Sequence, residues 1–398
     1  MRVAVALLTG AWALATSVGA VAFDEIDLKK FQTLNQCPDC DLREAALAEA
    51  DLSRAKLSGA NFGKADLRRV DFADAELMDV DFRKADLTAA NLAGADLSRA
   101  RLRDAMMAGA VLTFAELGEA ELRGATLVAA NLTRTRMRDA NFRSADMTGA
   151  NLAKADLRGA DFSTAVLHGA NFSRANLRDA VMSEADMTGA HLAEADMSRA
   201  DLSGAIMAGA NLARANLRKA LLFDAVMSGA DLRQANLSHT EADGVDMSGA
   251  TLVKVDFTGA VLTAANLSGA DLTDANLSAA VMADVDLSGA RLIAANLTGA
   301  VLSGANFAAA DLTGARLRGA DLRGVDFTGA DLGGATLRKS QLSEATLAGA
   351  RFVDADLRGV DLTDLDFSSA DLTGANLDGA ILCRTLLPSG EESGGCPE

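Results

Sequence analysis

A large apolar residue returns at every fifth position from Leu42 to Leu382. Of the 69 positions in that series, only Ala242 is not Leu, Met or Phe. Two residues before these stands Ala in most units (Ala45, Ala50, Ala55, Ala60), and in places Val (Val70, Val80, Val245). Few folds accept a period of five. An α-helix turns once in about 3.6 residues, so the series would wind around every side and leave no apolar stripe. A flat strand alternates with period two, and an odd step throws successive leucines to opposite faces. A short extended segment followed by a corner satisfies the pattern. The segment turns Ala and Leu inward together, and the corner resets the direction before the next Leu. Four such segments close a square coil of 20 residues, and stacked coils pair as parallel strands about 4.8 Å apart.

The corners have matching chemistry. Gly stands second after the Leu in 27 units, including Gly59, Gly94, Gly109 and Gly149, out of 35 Gly in the chain. Gly reaches positive φ without steric cost. Pro occurs only as Pro38, Pro388 and Pro397, outside the leucine series, as required if every internal segment donates to a ladder. The sequence therefore predicts a solenoid.

The units Ala-Asp-Leu-Ser-Arg (50–54), Ala-Asn-Leu-Ala-Gly (90–94) and Ala-Asp-Leu-Thr-Gly (310–314) resemble the Ala-(Asp/Asn)-Leu-x-x pattern of the pentapeptide repeat family. The resemblance implies an all-β fold, a right-handed quadrilateral parallel β-helix, and covers about 350 residues. At four repeats per coil the helix has about 17 coils, capped at both ends. Function does not follow from it, because one solenoid architecture serves unrelated roles.

Residues 1–22 read as an export signal. Arg2 supplies the positive start, Val3 to Leu14 the apolar core, and Ala20-Val21-Ala22 the small-residue site for cleavage before Phe23. The alternative is a retained membrane anchor, since Val3 to Ala22 is long enough to span a bilayer. Residues 23–36 leave the repeat, and Ile26, Phe31 and Leu34 fit one face of a short capping helix. The repeats occupy 37–387, and 388–398 read as a loop tail.

Four cysteines bracket the solenoid: Cys37 and Cys40 at its start, Cys383 and Cys396 at its end. With about 17 coils the ends lie roughly 80 Å apart. A disulfide tolerates a Cα separation of only about 7 Å, so Cys37–Cys40 and Cys383–Cys396 are the pairs that fit one monomer. The same distance opposes a four-cysteine zinc site. In an exported protein these pairs read as end staples. A redox role for Cys37-Pro38-Asp39-Cys40 is the alternative, though no βαβ pattern follows to activate a thiolate. Family members with similar Cys-Pro-x-Cys openings favour the staple.

With residues 20 apart stacked, the exterior sorts into four sides. The side centred on Leu47, Leu67, Leu87 and so on to Phe367 has no Lys or Arg between Ala85 and Ser369. Its outward residues are Ser, Thr, Ala and Gly, with Asp146, Asp186, Asp246 and Asp286 as charges and Val166, Ile206 and Val226 as exposed apolar points. This predicts a long, smooth, acidic face for a protein partner. The opposite region carries Arg138, Arg158, Arg178 and Arg218 in one column and Arg134, Lys154, Arg174 and Arg214 in the next, interrupted by Glu194. Each cation is expected to lean on an Asp such as Asp156 or Asp196, giving a mixed-charge surface. The alternative is a basic stripe against a membrane or an anionic envelope polymer.

Without Arg2 the chain has 37 basic and 55 acidic residues, a net charge of −18, which argues against direct nucleic-acid binding. His168, His191 and His239 fall on different sides. The Asp residues follow the repeat rather than converging as Ca²⁺ binding or acid–base catalysis would need, so neither an enzyme nor a cofactor site is expected. The reading is a non-catalytic, exported structural or protein-interaction rod. The alternative comes from the resemblance: some pentapeptide repeat proteins mimic duplex DNA and bind DNA gyrase, a cytoplasmic target that an exported chain would not meet. One core fault stands out, at Thr240 and Ala242, where missing volume predicts a small cavity or local kink at a cost of about 2–5 kcal/mol.

Overall fold

In the computed structural model, residues 27, 34–390, 392–394 and 396 are described. The expected export signal, 1–22, and most of the expected cap, 23–36, lie outside the described residues. Within the cap segment, Asp27 and Leu34 have helical backbone, and Leu34 is exposed.

Each five-residue unit makes one side of a coil. The Leu carbonyl accepts from the N–H three residues on, as in Ala60 N to Leu57 O at 3.0 Å, closing a β-turn. The third turn residue has positive φ whether or not it is Gly: 73° at Gly59, 58° at Arg54 and 59° at Lys64. Positive φ at that position alone marks a type II turn, which explains the placing of the glycines. The remaining corners hold other residues in the left-handed region, at a cost of roughly 1 kcal/mol each, because ladder bonds on both sides over-determine them.

Between coils, the residue before each Leu bridges its equivalent 20 positions on, in parallel register, from Gln36↔Lys56 to Asp366↔Leu386. Bridging at that interval means four units per coil. The inward Ala and Leu form one continuous core, with Leu57, Leu157 and Phe257 among the residues at 0% exposure. Phe rings stack inside it where they fall on successive coils, as for Phe142 and Phe162 at 4.8 Å between centroids. Hydroxyls at the small inward position are satisfied locally: Thr135, Thr240 and Ser340 each donate to the Leu carbonyl three residues back.

Of the small cavity or local kink expected at the core fault the kink is absent, and the expectation for the tail is corrected. The chain does not kink at Thr240 and Ala242. Ala242 N donates to Val261 O at 2.8 Å and Val261 N to Thr240 O at 2.9 Å, so the ladder runs through the fault, because backbone pairing on the adjoining sides holds the coil spacing. The tail after Leu387 is not all loop. Strand β1 (Cys383–Leu386) pairs antiparallel with β2 (Glu392–Gly394), since the turn at Pro388 to Gly390 reverses the chain. The core is closed at one end, where Leu42, Leu47 and Leu52 are buried, and less so at the other, where Leu372, Leu377 and Leu382 are only partly buried.

Candidate interaction surfaces

The residue before each Leu lies on the ladder itself, so its column is straight. Asp146, Val166, Asp186, Ile206, Val226, Asp246, Asn266 and Asp286 bridge one another in that order. The structure thus brings all seven candidates for the smooth face into one row. Asn266 completes it, a residue that the charge-based reading passed over. Val166 is 37% and Ile206 40% exposed.

The carboxylates in this row are tied to the corners. Asp146 Oδ1 accepts from Thr148 N at 3.0 Å and Thr148 Oγ1 at 2.7 Å. Asp246 accepts from Ser248 N at 3.0 Å and from Asn266 Nδ2 at 3.1 Å, and Asp286 repeats this with Ser288 and Asn306. Asp186 accepts from Thr188 and also meets His168 Nε2 at 2.7 Å. Burial pushes the Asp186 carboxyl up, but the hydrogen bonds from His168 and Thr188 outweigh it and hold it below its usual value. Pinned side chains lose little further entropy when a partner docks, so this row is a pre-ordered surface.

The basic columns behave differently. Arg138 and Arg158 share Asp156, at 2.7 and 2.8 Å, and Arg178 stands 4.0 Å from Asp196. Arg174 forms two bonds with Glu194, the residue that interrupts its column. Arg134 lies 5.6 Å above the exposed Phe114 ring, and Arg214 donates to Gln234. Lys154 and Arg218 make no ion pair among the described residues. Four of the eight candidate cations are thus held in ion pairs among the described residues, two of them on one carboxylate, and the other four are not.

The cysteines form two pairs at disulfide distance, Cys37 with Cys40 (Cα separation 5.4 Å) and Cys383 with Cys396 (4.3 Å). They sit at opposite ends of the ladder, so four cysteines do not assemble around one ion. A carboxylate oxygen of Asp27 lies within 4.8 Å of the Cys37 and Cys40 sulfurs. At the Thr240 fault, Arg218, Lys219, His239 and Glu241 line an open surface hollow of about 440 Å³.

The protein-family model for pentapeptide repeats matches the chain in overlapping segments that run from 37–74 to 350–387. The chain belongs to the pentapeptide repeat family. Pentapeptide repeat proteins fold as right-handed quadrilateral β-helices, in agreement with the 20-residue bridging. HetL, a pentapeptide repeat protein involved in heterocyst differentiation regulation from the cyanobacterium Nostoc sp. strain PCC 7120, is 32% identical; the match covers 65% of this chain and 92% of HetL, with a TM-score of 0.24. QnrB1, a plasmid-mediated fluoroquinolone resistance protein, is 25% identical over 54% of this chain and 89% of its own, with a TM-score of 0.24. A pentapeptide repeat protein from the Arabidopsis thaliana thylakoid lumen is 31% identical over 28% of this chain and 65% of its own, with a TM-score of 0.20. No curated protein matches the chain.

Proposed function

We propose that this pentapeptide repeat protein is an exported, non-catalytic rod of about 17 coils that binds a protein partner along its cation-free side. The observation that carries the reading is the straight row from Asp146 to Asp286, in which pinned carboxylates alternate with the exposed Val166 and Ile206. Aliphatic points supply area to desolvate, and the fixed negative charges select a partner with facing Lys or Arg. The basic columns are the weaker candidate, because half of their cations sit in ion pairs that must break before a membrane or envelope polymer can engage the whole stripe. The two cysteine pairs, as disulfides, would staple the solenoid ends in an oxidising compartment.

The test is site-specific photo-crosslinking in the native cell, from position 206 on the smooth side and position 218 on the basic one. A discrete protein adduct from 206, lost on Asp186→Lys, supports the reading; adducts from 218 alone overturn it. Fractionation with mass spectrometry of the mature N-terminus checks export. A product starting at Phe23 is expected. A cytoplasmic product retaining Met1 refutes export and makes inhibition of gyrase supercoiling the next assay.

A further inference from the structure

From Leu42 to Leu337 the ladder is complete. Every N–H at the leucine position and every N–H at the left-handed corner donates to a carbonyl of the next coil. The pattern then stops. Among the described residues, the N–H groups of Lys339, Leu342, Glu344 and Leu347 make no close backbone hydrogen bond to the next coil, and those of Asp361 and Asp366 make none back to Ser340 and Ala345, although Gln341 and Asp361 still bridge. Gly349 N turns instead to Ser369 Oγ at 3.1 Å. The bridge between Thr346 and Asp366 is also missing from an otherwise regular column. Pairing resumes with Phe352 N to Asp371 O at 2.7 Å and continues to Phe367 N to Leu386 O at 2.8 Å.

The contact is loosened on the side centred on Leu342, where the Gln341–Asp361 bridge persists, and lost on the next side, centred on Leu347. On the sides centred on Leu332 and Leu337 the leucine N–H groups keep their bonds, to Arg351 O at 2.7 Å and Asp356 O at 2.9 Å, and only the Lys339 corner between the second side and the seam is loose. A coil interface held on two adjacent sides, loosened on the third and open on the fourth has the geometry of a hinge.

The sequence supplies a cause at the same place. The inward position two before each Leu holds a small residue throughout, except at Leu365. Leu365 is 3% exposed, so its added carbons are pressed into a space that elsewhere takes Ala. Its counterpart 20 residues back is Ala345, which is only partly buried, whereas Ala305 and Ala330 are fully buried. Close-packed interiors do not absorb extra volume without moving backbone, and here the backbone has parted. Val360 and Ser340 enlarge the same two inward positions on either side of the seam.

We propose that this seam is a built-in hinge, with Leu365 the wedge that keeps it open, so that the coils beyond Asp361 and the β1–β2 hairpin swing as a unit on the sides centred on Leu332 and Leu337. This is independent of the identity of any partner. It also leaves unpaired strand edge on the cation-free side, at Thr346 and Leu347.

Hydrogen exchange read by mass spectrometry on the full chain tests it, comparing peptides over 338–349 with the equivalent 318–329 one coil earlier. The amides of Leu342, Glu344 and Leu347 are expected to exchange about 100-fold faster than those of Leu322, Gly324 and Phe327, which are all bonded. Leu365→Ala is expected to bring the two sets within about threefold, with Leu365→Val falling between. Equal protection in the natural protein overturns the hinge, and fast exchange that survives Leu365→Ala overturns the wedge. A Leu365→Ala protein that loses its far-ultraviolet circular dichroism would make Leu365 a support rather than a wedge, and would also refute the proposal.

Discussion

Ala242→Leu should stabilise the protein. The site lacks the large side chain found at every other position of the series, yet its ladder bonds hold at 2.7 Å (Leu222 N to Glu241 O) and 2.8 Å (Ala242 N to Val261 O). The coil has therefore not collapsed to fill the gap. Leu222 and Leu262, its stacked neighbours, are fully buried at normal spacing, so the three missing carbons are expected as unfilled volume. A buried Leu→Ala change costs about 2–5 kcal/mol, the upper end where surroundings cannot relax. The reverse change should recover part of that, about 1–3 kcal/mol, since Thr240 beside it already contributes a methyl group. Unfolding of a solenoid need not be two-state, so the assay is local: exchange protection of the Leu222, Ala242 and Leu262 amides, with Leu222→Ala as a control expected to lose about 2–5 kcal/mol. A loss of protection of more than about 1 kcal/mol in Ala242→Leu would mean that the core had already closed over Ala242, and the reasoning would fail.

Leu222→Asp buries an unpaired charge and should open the solenoid locally, giving a new protease cut near residue 222, whereas Asp186→Ala, on the surface, should leave the cleavage pattern unchanged and cost under about 1 kcal/mol. Gly94→Ala and Gly149→Ala should cost about the same: both have φ above +60°, the space at 149 is open, and the atom that a Cβ at 94 would meet, Asp74 Oδ1, ends an exposed side chain that can turn away. Thermal melts should place both variants about 1 kcal/mol below the natural protein, and a Gly94 variant far below the Gly149 one would show that Asp74 cannot turn away. The guanidinium two residues on holds the carboxyls of Asp66, Asp231, Asp321 and Asp356 below their usual value. Because the folded-state values are depressed, their stabilisation is complete above the unfolded value of about 3.9 and is lost as pH falls through the folded values. The melting temperature should be level from pH 7 to about pH 5 and drop below about pH 4; a rise on acidification would contradict the pairing.

A strict period ties each residue's place to its position in the chain, which is why so much was legible before any coordinates. The period of five alone placed Leu57 and Ala55 inside, Gly59 at a left-handed corner and Asp146 above Asp186 on one side, since no other backbone repeats at that interval with its apolar residues on one side. The same arithmetic lined up Arg138 with Arg158. What it could not decide was which way a long side chain turns, and so that these two share one carboxylate while Arg134 covers Phe114. It was also blind where volume matters more than order. Thr240 and Ala242 look like the weak point of the chain, but a missing side chain is bridged by the bonds around it. Leu365 is apolar as its inward position requires but larger than any other residue there, and the ladder loosens beside it, because excess volume in a packed core can be relieved only by moving the backbone. The 20-residue register ends at Leu386, and beyond it only the tertiary pairing of β1 with β2 determines how the tail turns back.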